Sequence, residues 1–138
     1  MKKEYICEKN SLYNCNYFVS FCTIYKRKII DTNELKLFLE NDFNKIAKEY
    51  NFSINKIQIK DNQVLMEVSC SPKLGIDTVI TKLKDISAKN LKEAYPSFTK
   101  RVPCIWTRNS FIETIGTHDE TYLEKFVSLQ QKYKIKGE

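Results

Sequence analysis

Two hydrophobic periodicities alternate along this chain, and their order limits its fold more than any other feature. Segments dense in aromatic and β-branched residues, or alternating strictly between apolar and polar, take turns with segments whose apolar residues recur at three and four. Cys15 to Tyr25, CNYFVSFCTIY, belongs to the first kind and predicts a buried strand. The basic run Lys26 to Lys28 follows, and then Asp31 stands as a helix N-cap with Glu34 at the reciprocal capping-box position. Leu35, Phe38, Leu39, Phe43, Ile46, Ala47 and Tyr50 predict one helix with a single apolar stripe. Two strands come next, Phe52 to Lys60 and Gln63 to Ser71, with KDN as a tight connection. In the second, Val64, Met66, Val68 and Cys70 point to one face and Gln63, Leu65, Glu67 and Ser69 to the other. One face is core and the other mostly polar.

Pro72 and Gly75 end that strand, and Ile76, Val79, Ile80, Leu83, Ile86, Leu91 and Ala94 set the stripe of a second helix that closes before Pro96. Lys82, Lys84, Lys89 and Lys92 fall largely off the stripe. A loop and a strand around Ser110 to Ile115 follow, stopped by Gly116, and a last helix opens at Thr117 with Glu120 at capping-box spacing. The order is β-α-β-β-α-β plus a C-terminal helix. It predicts the α+β class: a ferredoxin-like βαββαβ antiparallel sheet with helices on one face plus a C-terminal helix. At 138 residues a single domain over residues 1–138 is expected, large enough for a core without disulfides or metal. The charged ends, MKKEYICEKNS and KYKIKGE, lack a sustained pattern and read as the loosest parts.

Charge and cysteine usage narrow the function. Lys plus Arg number 23 against 17 Asp plus Glu, a net charge of +6 and a pI near 9.0, which favours phosphate-rich partners. Lys-rich surfaces also serve solubility. Five cysteines, odd in number and without a CxxC pair, argue against a disulfide framework or zinc knuckle. No N-terminal apolar segment resembles a signal peptide and no run approaches the roughly 20 apolar residues of a membrane span, so a cytoplasmic protein with no membrane partner is expected. The chain holds one histidine, His118, which excludes any site that needs two.

Five segments carry more information than the fold order: YFVSFCTIYKRKII, SCSPKLGI after the third strand, LKDISAKNLKEAYP, IWTRNSFIETIG and FVSLQQ. Together they resemble the small single-tyrosine transposases of insertion sequences, the TnpA-type proteins of the HUH superfamily in the IS-two-hundred group. The resemblance runs from about Tyr13 to the C-terminus. It implies a ferredoxin-like fold and a homodimer acting on single-stranded DNA with hairpins. It also implies a helix tyrosine that attacks the scissile phosphate to form a 5′-phosphotyrosine. In active members Mg²⁺ or Mn²⁺ polarises that phosphate, held by two strand histidines flanking one hydrophobic residue and by a polar ligand on the tyrosine's helix. That reaction needs both a nucleophile and a Lewis acid.

Carried onto this sequence, the tyrosine falls on Phe126 and the helix glutamine on Gln130. Counting back from Pro72 puts the histidines on Gln63 and Leu65; anchoring on Asp61 puts them on Asn62 and Val64. The first register is preferred, because Gln63 and Leu65 share the polar face and Val64 belongs to the core stripe. Phenylalanine keeps the ring and removes the attacking oxygen; leucine has no lone pair, and a glutamine carbonyl is a weak neutral substitute for imidazole. No catalytic residue and no cofactor are therefore expected. Phe126 reads first as a packing residue beside Leu123, Val127 and Gln130, and Gln130 as a leftover of the site or an ordinary polar residue.

The basic positions carry the binding hypothesis. Lys26, Arg27 and Lys28 leave the first strand together, and Lys84, Lys89 and Arg108 lie in the family-like segments. Any one lysine is ordinarily a solvated surface group; as a set these predict phosphate contacts. Tyr25 and Trp106 sit beside basic residues and are candidates to stack on unpaired bases, with Trp106 equally a core residue. The expectation is a protein that binds single-stranded or hairpin DNA, or RNA, without cleaving it. Two alternatives stand beside it: a working enzyme rebuilt around Tyr122 or the oxygens of Gln63, Glu67 and Gln130, and a ferredoxin-like interaction domain with no nucleic-acid role.

Overall fold

A computed structural model describes residues 5–8, 11–102, 104–116, 121, 123, 124 and 126–128. The chain divides into two compact units, residues 1–14 with 116–138, and residues 15–115. In the first, β1 (Ile6–Glu8) and β2 (Ser11–Tyr13) pair antiparallel, with Cys7 opposite Leu12. This hairpin corrects the reading of the N-terminus as patternless; three residues a strand are too few for periodicity to register. The described residues 121, 123, 124 and 126–128 are helical, as expected for the last helix.

The second unit contains β3 (Asn16–Cys22), α1 (Asn33–Glu49), β4 (Ser53–Ile59), β5 (Gln63–Ser69), α2 (Ile76–Ala94), α3 (Pro96–Arg101) and β6 (Phe111–Thr114). Its sheet has the order β4-β5-β3-β6, antiparallel throughout. Consecutive β3 and β4 are thus separated by β5, and the α+β, split βαβ arrangement predicted from the sequence is present.

The two periodicities meet on one face. Val19 and Phe21 of β3 and Val64, Met66 and Val68 of β5 are buried against Leu39, Phe43 and Ile46 of α1 and Val79, Leu83 and Leu91 of α2. Phe21 makes edge-to-face contacts with Phe43 and Trp106, centroids 6.1 and 4.9 Å apart. The indole N–H of Trp106 donates to Ser87 Oγ on α2 at 3.0 Å, satisfying its one polar group inside the core. Trp106 is therefore a packing residue and is not available to stack on a base.

The caps and connections add local detail that the sequence reading lacks. The cap of α1 is Thr32, whose side chain accepts from the Leu35 N–H at 3.1 Å, one residue later than Asp31. Glu34 accepts from the Tyr95 hydroxyl at 3.2 Å. Pro96 opens the short helix α3, consistent with proline's tolerance at a first helical position, where its missing N–H has no intrahelical partner. Asn51, at φ 59°, ends α1 in the left-handed conformation that asparagine tolerates.

Candidate nucleic-acid interface

The positions matched to the family's histidines lie on the sheet face turned away from α1 and α2. Gln63 and Leu65 stand opposite Cys22 and Ser20 on β3, while Val64 between them is fully buried in the core. Alternation of side chains along β5 thus separates Gln63 and Leu65 from Val64. The Gln63 amide donates to Ser20 Oγ at 2.9 Å, and Glu67 lies 4.0 Å from the Lys56 ammonium. Leu65 offers no donor atom, so this pair does not fit a Mg²⁺ or Mn²⁺ centre. Among the described residues no three His, Cys, Asp or Glu side chains gather in a way that could hold a metal.

Phe126 is helical and 40% exposed, with Leu123 and Val127 exposed beside it. The sequence reads Phe126 as a packing residue; among the described residues of this helix, Leu123 and Val127 share its exposure. Gln130, Tyr122, Tyr133 and His118 lie outside the described residues.

The basic run after β3 forms a clamped tip. Thr23, fully buried, donates its hydroxyl to the Arg27 carbonyl at 2.7 Å and its N–H to the Asn62 carbonyl at 3.0 Å. Asn62 Nδ2 in turn donates to the Lys26 carbonyl at 3.3 Å. Ile24 donates to the Ile105 carbonyl at 2.8 Å, and Ile30 to the Asp61 carbonyl at 2.9 Å. Asp61 pairs with Lys36 of α1 at 2.8 Å, and the Lys36 hydrogen bond holds its carboxyl below the usual range. Between these anchors Ile24–Lys26 make one 3-10 turn in which Tyr25 and Lys26 adopt φ 54° and 55°. Tyr25 is 80% exposed, and the Arg27 guanidinium lies 5.6 Å from its ring centroid. Lys26, Arg27 and Lys28 are all exposed.

Lys84, expected at the same interface, is held elsewhere. Its ammonium donates to the carbonyls of Thr107, Arg108 and Asn109 at 2.9, 3.3 and 3.0 Å, and lies 5.3 Å from the Phe21 ring centroid. Burial lowers its pKa from the ordinary lysine value. An ammonium has three protons, so these bonds leave none for a phosphate. Lys89 and Arg108 are exposed, and Arg108 is carried by the loop that Lys84 pins. A groove of about 740 Å³ runs between α2 and residues 104–112, lined by Lys84, Asp85, Lys92, Trp106 and Arg108 among others.

A split βαβ sheet hosts many unrelated functions, so the class of fold does not by itself assign one. The family can be stated more narrowly. Residues 11–130 match the family described as "Transposase IS200 like", and the chain belongs to it. The ISDra2 transposase TnpA of Deinococcus radiodurans is 20% identical over 121 residues, covering 86% of each protein. A crystal structure of a transposase candidate from Deinococcus radiodurans R1 superposes with a TM-score of 0.74 at 16% identity, covering 91% of this chain and 97% of that one. A REP-associated tyrosine transposase bound to a REP hairpin gives a TM-score of 0.56 at 12% identity, covering 91% of this chain and 66% of the other. At these identities the solved structures speak for the fold.

Proposed function

We propose that this member of the transposase family binds single-stranded or hairpin DNA through its basic tip and has no strand-cleaving chemistry of its own. The observation that carries the reading is the tip: three exposed cations and an exposed ring held out by at least five hydrogen bonds from buried or anchored groups. Phosphates would sit on Lys26, Arg27 and Lys28, with Lys89 and Arg108 as further contacts. The hairpin held by the REP-associated relative supports the same kind of ligand. RNA hairpins are the variant of this reading that the binding assay separates.

Inactivity rests on chemistry at the matched positions. A phenyl ring at Phe126 cannot attack phosphorus, and Leu65 with a hydrogen-bonded Gln63 cannot replace two imidazoles, so neither cofactor nor covalent intermediate is expected. The oxygen-ligand form of the rebuilt-enzyme alternative has less support, since Glu67 lies 4.0 Å from the Lys56 ammonium and Gln63 donates to Ser20, while Tyr122 and Gln130 lie outside the described residues. Such a protein would act in the cytoplasm as a regulator or accessory of active elements; among the described residues no helix is long and apolar enough to cross a membrane.

Dimerisation is part of the proposal, and the sheet supplies its support. The outer strand β4 carries Lys56 and a register shift between Ile54 and Lys56, features that blunt an edge. The opposite edge, β6, exposes Phe111 and Ile112 and carries no lysine. The Ile115 N–H bonds to Asn16, so by antiparallel alternation Ile112 and Thr114 turn their backbone groups outward. A second copy pairing along β6 would satisfy them.

Fluorescence anisotropy with a labelled DNA hairpin bearing single-stranded tails, across a salt series, tests the function. Binding should weaken linearly in log–log form. Replacing Lys26, Arg27 and Lys28 together should reduce the slope by about 2, from roughly 0.7 per single-strand phosphate contact. Failure of the native chain to bind hairpin DNA or RNA at low salt refutes the proposal.

A further inference from the structure

Tyr25 combines two features that folding alone does not reward. Its backbone is left-handed, at φ 54° and ψ 22°, a region that a bulky L-residue avoids and that clusters at functional sites. Its ring is 80% exposed, so the unfavourable conformation is not offset by buried apolar area. Asparagine or glycine would satisfy the turn more easily. The surrounding bonds hold the conformation in place: Thr23 Oγ1 to the Arg27 carbonyl, Asn62 Nδ2 to the Lys26 carbonyl, and the Lys26 and Arg27 N–H groups to the carbonyls of Thr23 and Ile24.

We infer that Tyr25 is the stacking platform for one unpaired base, with Thr23 as the positioning residue that holds it out. This rests on the nucleic-acid reading above and deepens it. Three features of the tip select that ligand over a protein partner. The ring is exposed, the Arg27 guanidinium lies 5.6 Å from its centroid, and Lys26 and Lys28 are exposed in the same tip. A nucleotide offers the complementary set, a π-face for the ring and phosphates on both sides for the cations. A base inside a stem has both faces covered by its neighbours, so the platform acts on the unpaired tails that flank a hairpin and not on its stem. Because every base has a π-face, the contact is tolerant of base identity and reads unpairedness.

The test compares hairpin DNA carrying unpaired tails with the same hairpin trimmed blunt, and scans the tails with single abasic nucleotides. Native protein should lose about tenfold in affinity at one tail position when its base is removed, in the range measured for aromatic stacking. Tyr25→Ala should lose a similar factor on the tailed hairpin, nothing on the blunt one, and nothing more when the abasic site is added. Tyr25→Phe should bind as the native chain does. Thr23→Val should lose affinity for the tailed hairpin only, and Thr23→Ser, which keeps the hydroxyl, should recover it. Tyr25→Asn should lose stacking while raising Tm, because it relieves the left-handed strain. A flat abasic scan with tight native binding overturns this inference and leaves the phosphate-binding reading standing, as does an equal loss for Tyr25→Ala on blunt and tailed hairpins. Absence of any native binding overturns both.

Discussion

Replacing Lys84 with methionine separates a structural lysine from a phosphate-binding one. Lys84→Met keeps a side chain of similar shape and removes an ammonium that bonds three consecutive carbonyls, Thr107 to Asn109, and lies 5.3 Å from the Phe21 ring centroid. Hydrogen bonds to charged groups contribute roughly 1.5–3 kcal/mol each. The three share one charge whose partial burial offsets part of that, and water can reach the carbonyls of the exposed Arg108 and Asn109 once the lysine is gone. The net loss should be about 2 kcal/mol, or roughly 6 °C in Tm for a chain of this size. Urea unfolding and a thermal scan read that loss; the salt slope of hairpin binding reads the other half. Lys84→Met should lower stability and leave the slope unchanged. Lys89→Met, at an exposed position on the same helix, should do the reverse, with stability within roughly 0.5 kcal/mol and a slope smaller by about 0.7. An unchanged Tm together with a reduced slope for Lys84→Met refutes the assignment.

Three further outcomes follow from the same structure. Asp42 is buried at the α1–α2 contact, accepts from Asn90 Nδ2 at 2.8 Å and has a second oxygen without a partner; burial raises its pKa, with Asn90 and Lys45 acting in the opposite direction. The folded chain therefore holds this proton more tightly than the unfolded chain, so its contribution is present below the unfolded value near 3.8 and is lost as pH rises through the folded value. Asp42→Asn should accordingly gain stability relative to the native chain between pH 4 and pH 7 and match it at lower pH; equal urea midpoints across the range would count against it. Thr114→Pro removes an outward backbone donor of β6 without touching the bonds to β3, and should convert a dimer to a monomer in light scattering. A dimer that persists places the contact elsewhere. Phe126→Tyr alone should yield no covalent adduct with hairpin DNA and Mn²⁺, because a phenol near pKa 10 is a weak nucleophile without a metal.

Regular elements were legible because their signals are repetitive. α2 was read at its observed limits, since seven apolar residues at helical spacing, bounded by Gly75 and Pro96, leave little freedom. The alternation from Gln63 to Cys70 placed Val64 inside and Gln63 and Leu65 on the opposite face. What the sequence left open depends on single contacts between distant residues. Nothing in LKDISAKN distinguishes Lys84, folded back on residues 107–109, from exposed Lys89; only tertiary packing does. Trp106 gave two readings because an aromatic beside a basic residue suits either a core or a stack, and its bond to Ser87, nineteen residues away, decided between them. The reach of β3 was overestimated for a similar reason. CTIY continues the β-branched pattern, but Thr23 turns its hydroxyl onto Arg27 and the chain leaves the sheet, reversing the exposure of Tyr25. Phe126, Gln63 and Leu65 were reached by counting along the sequence from a resemblance, whereas the presence of a single histidine, His118, was legible directly because it concerns residue identity and not geometry.

Binding without cleavage is the central claim, and one incubation tests it. Native protein, labelled hairpin DNA with single-stranded tails and Mn²⁺ are mixed at low salt, and the sample is divided between a native and a denaturing gel. The account predicts a shifted band on the first and only intact free DNA on the second. A protein–DNA adduct or a cleaved strand surviving denaturation would contradict it, as would the absence of a shifted band.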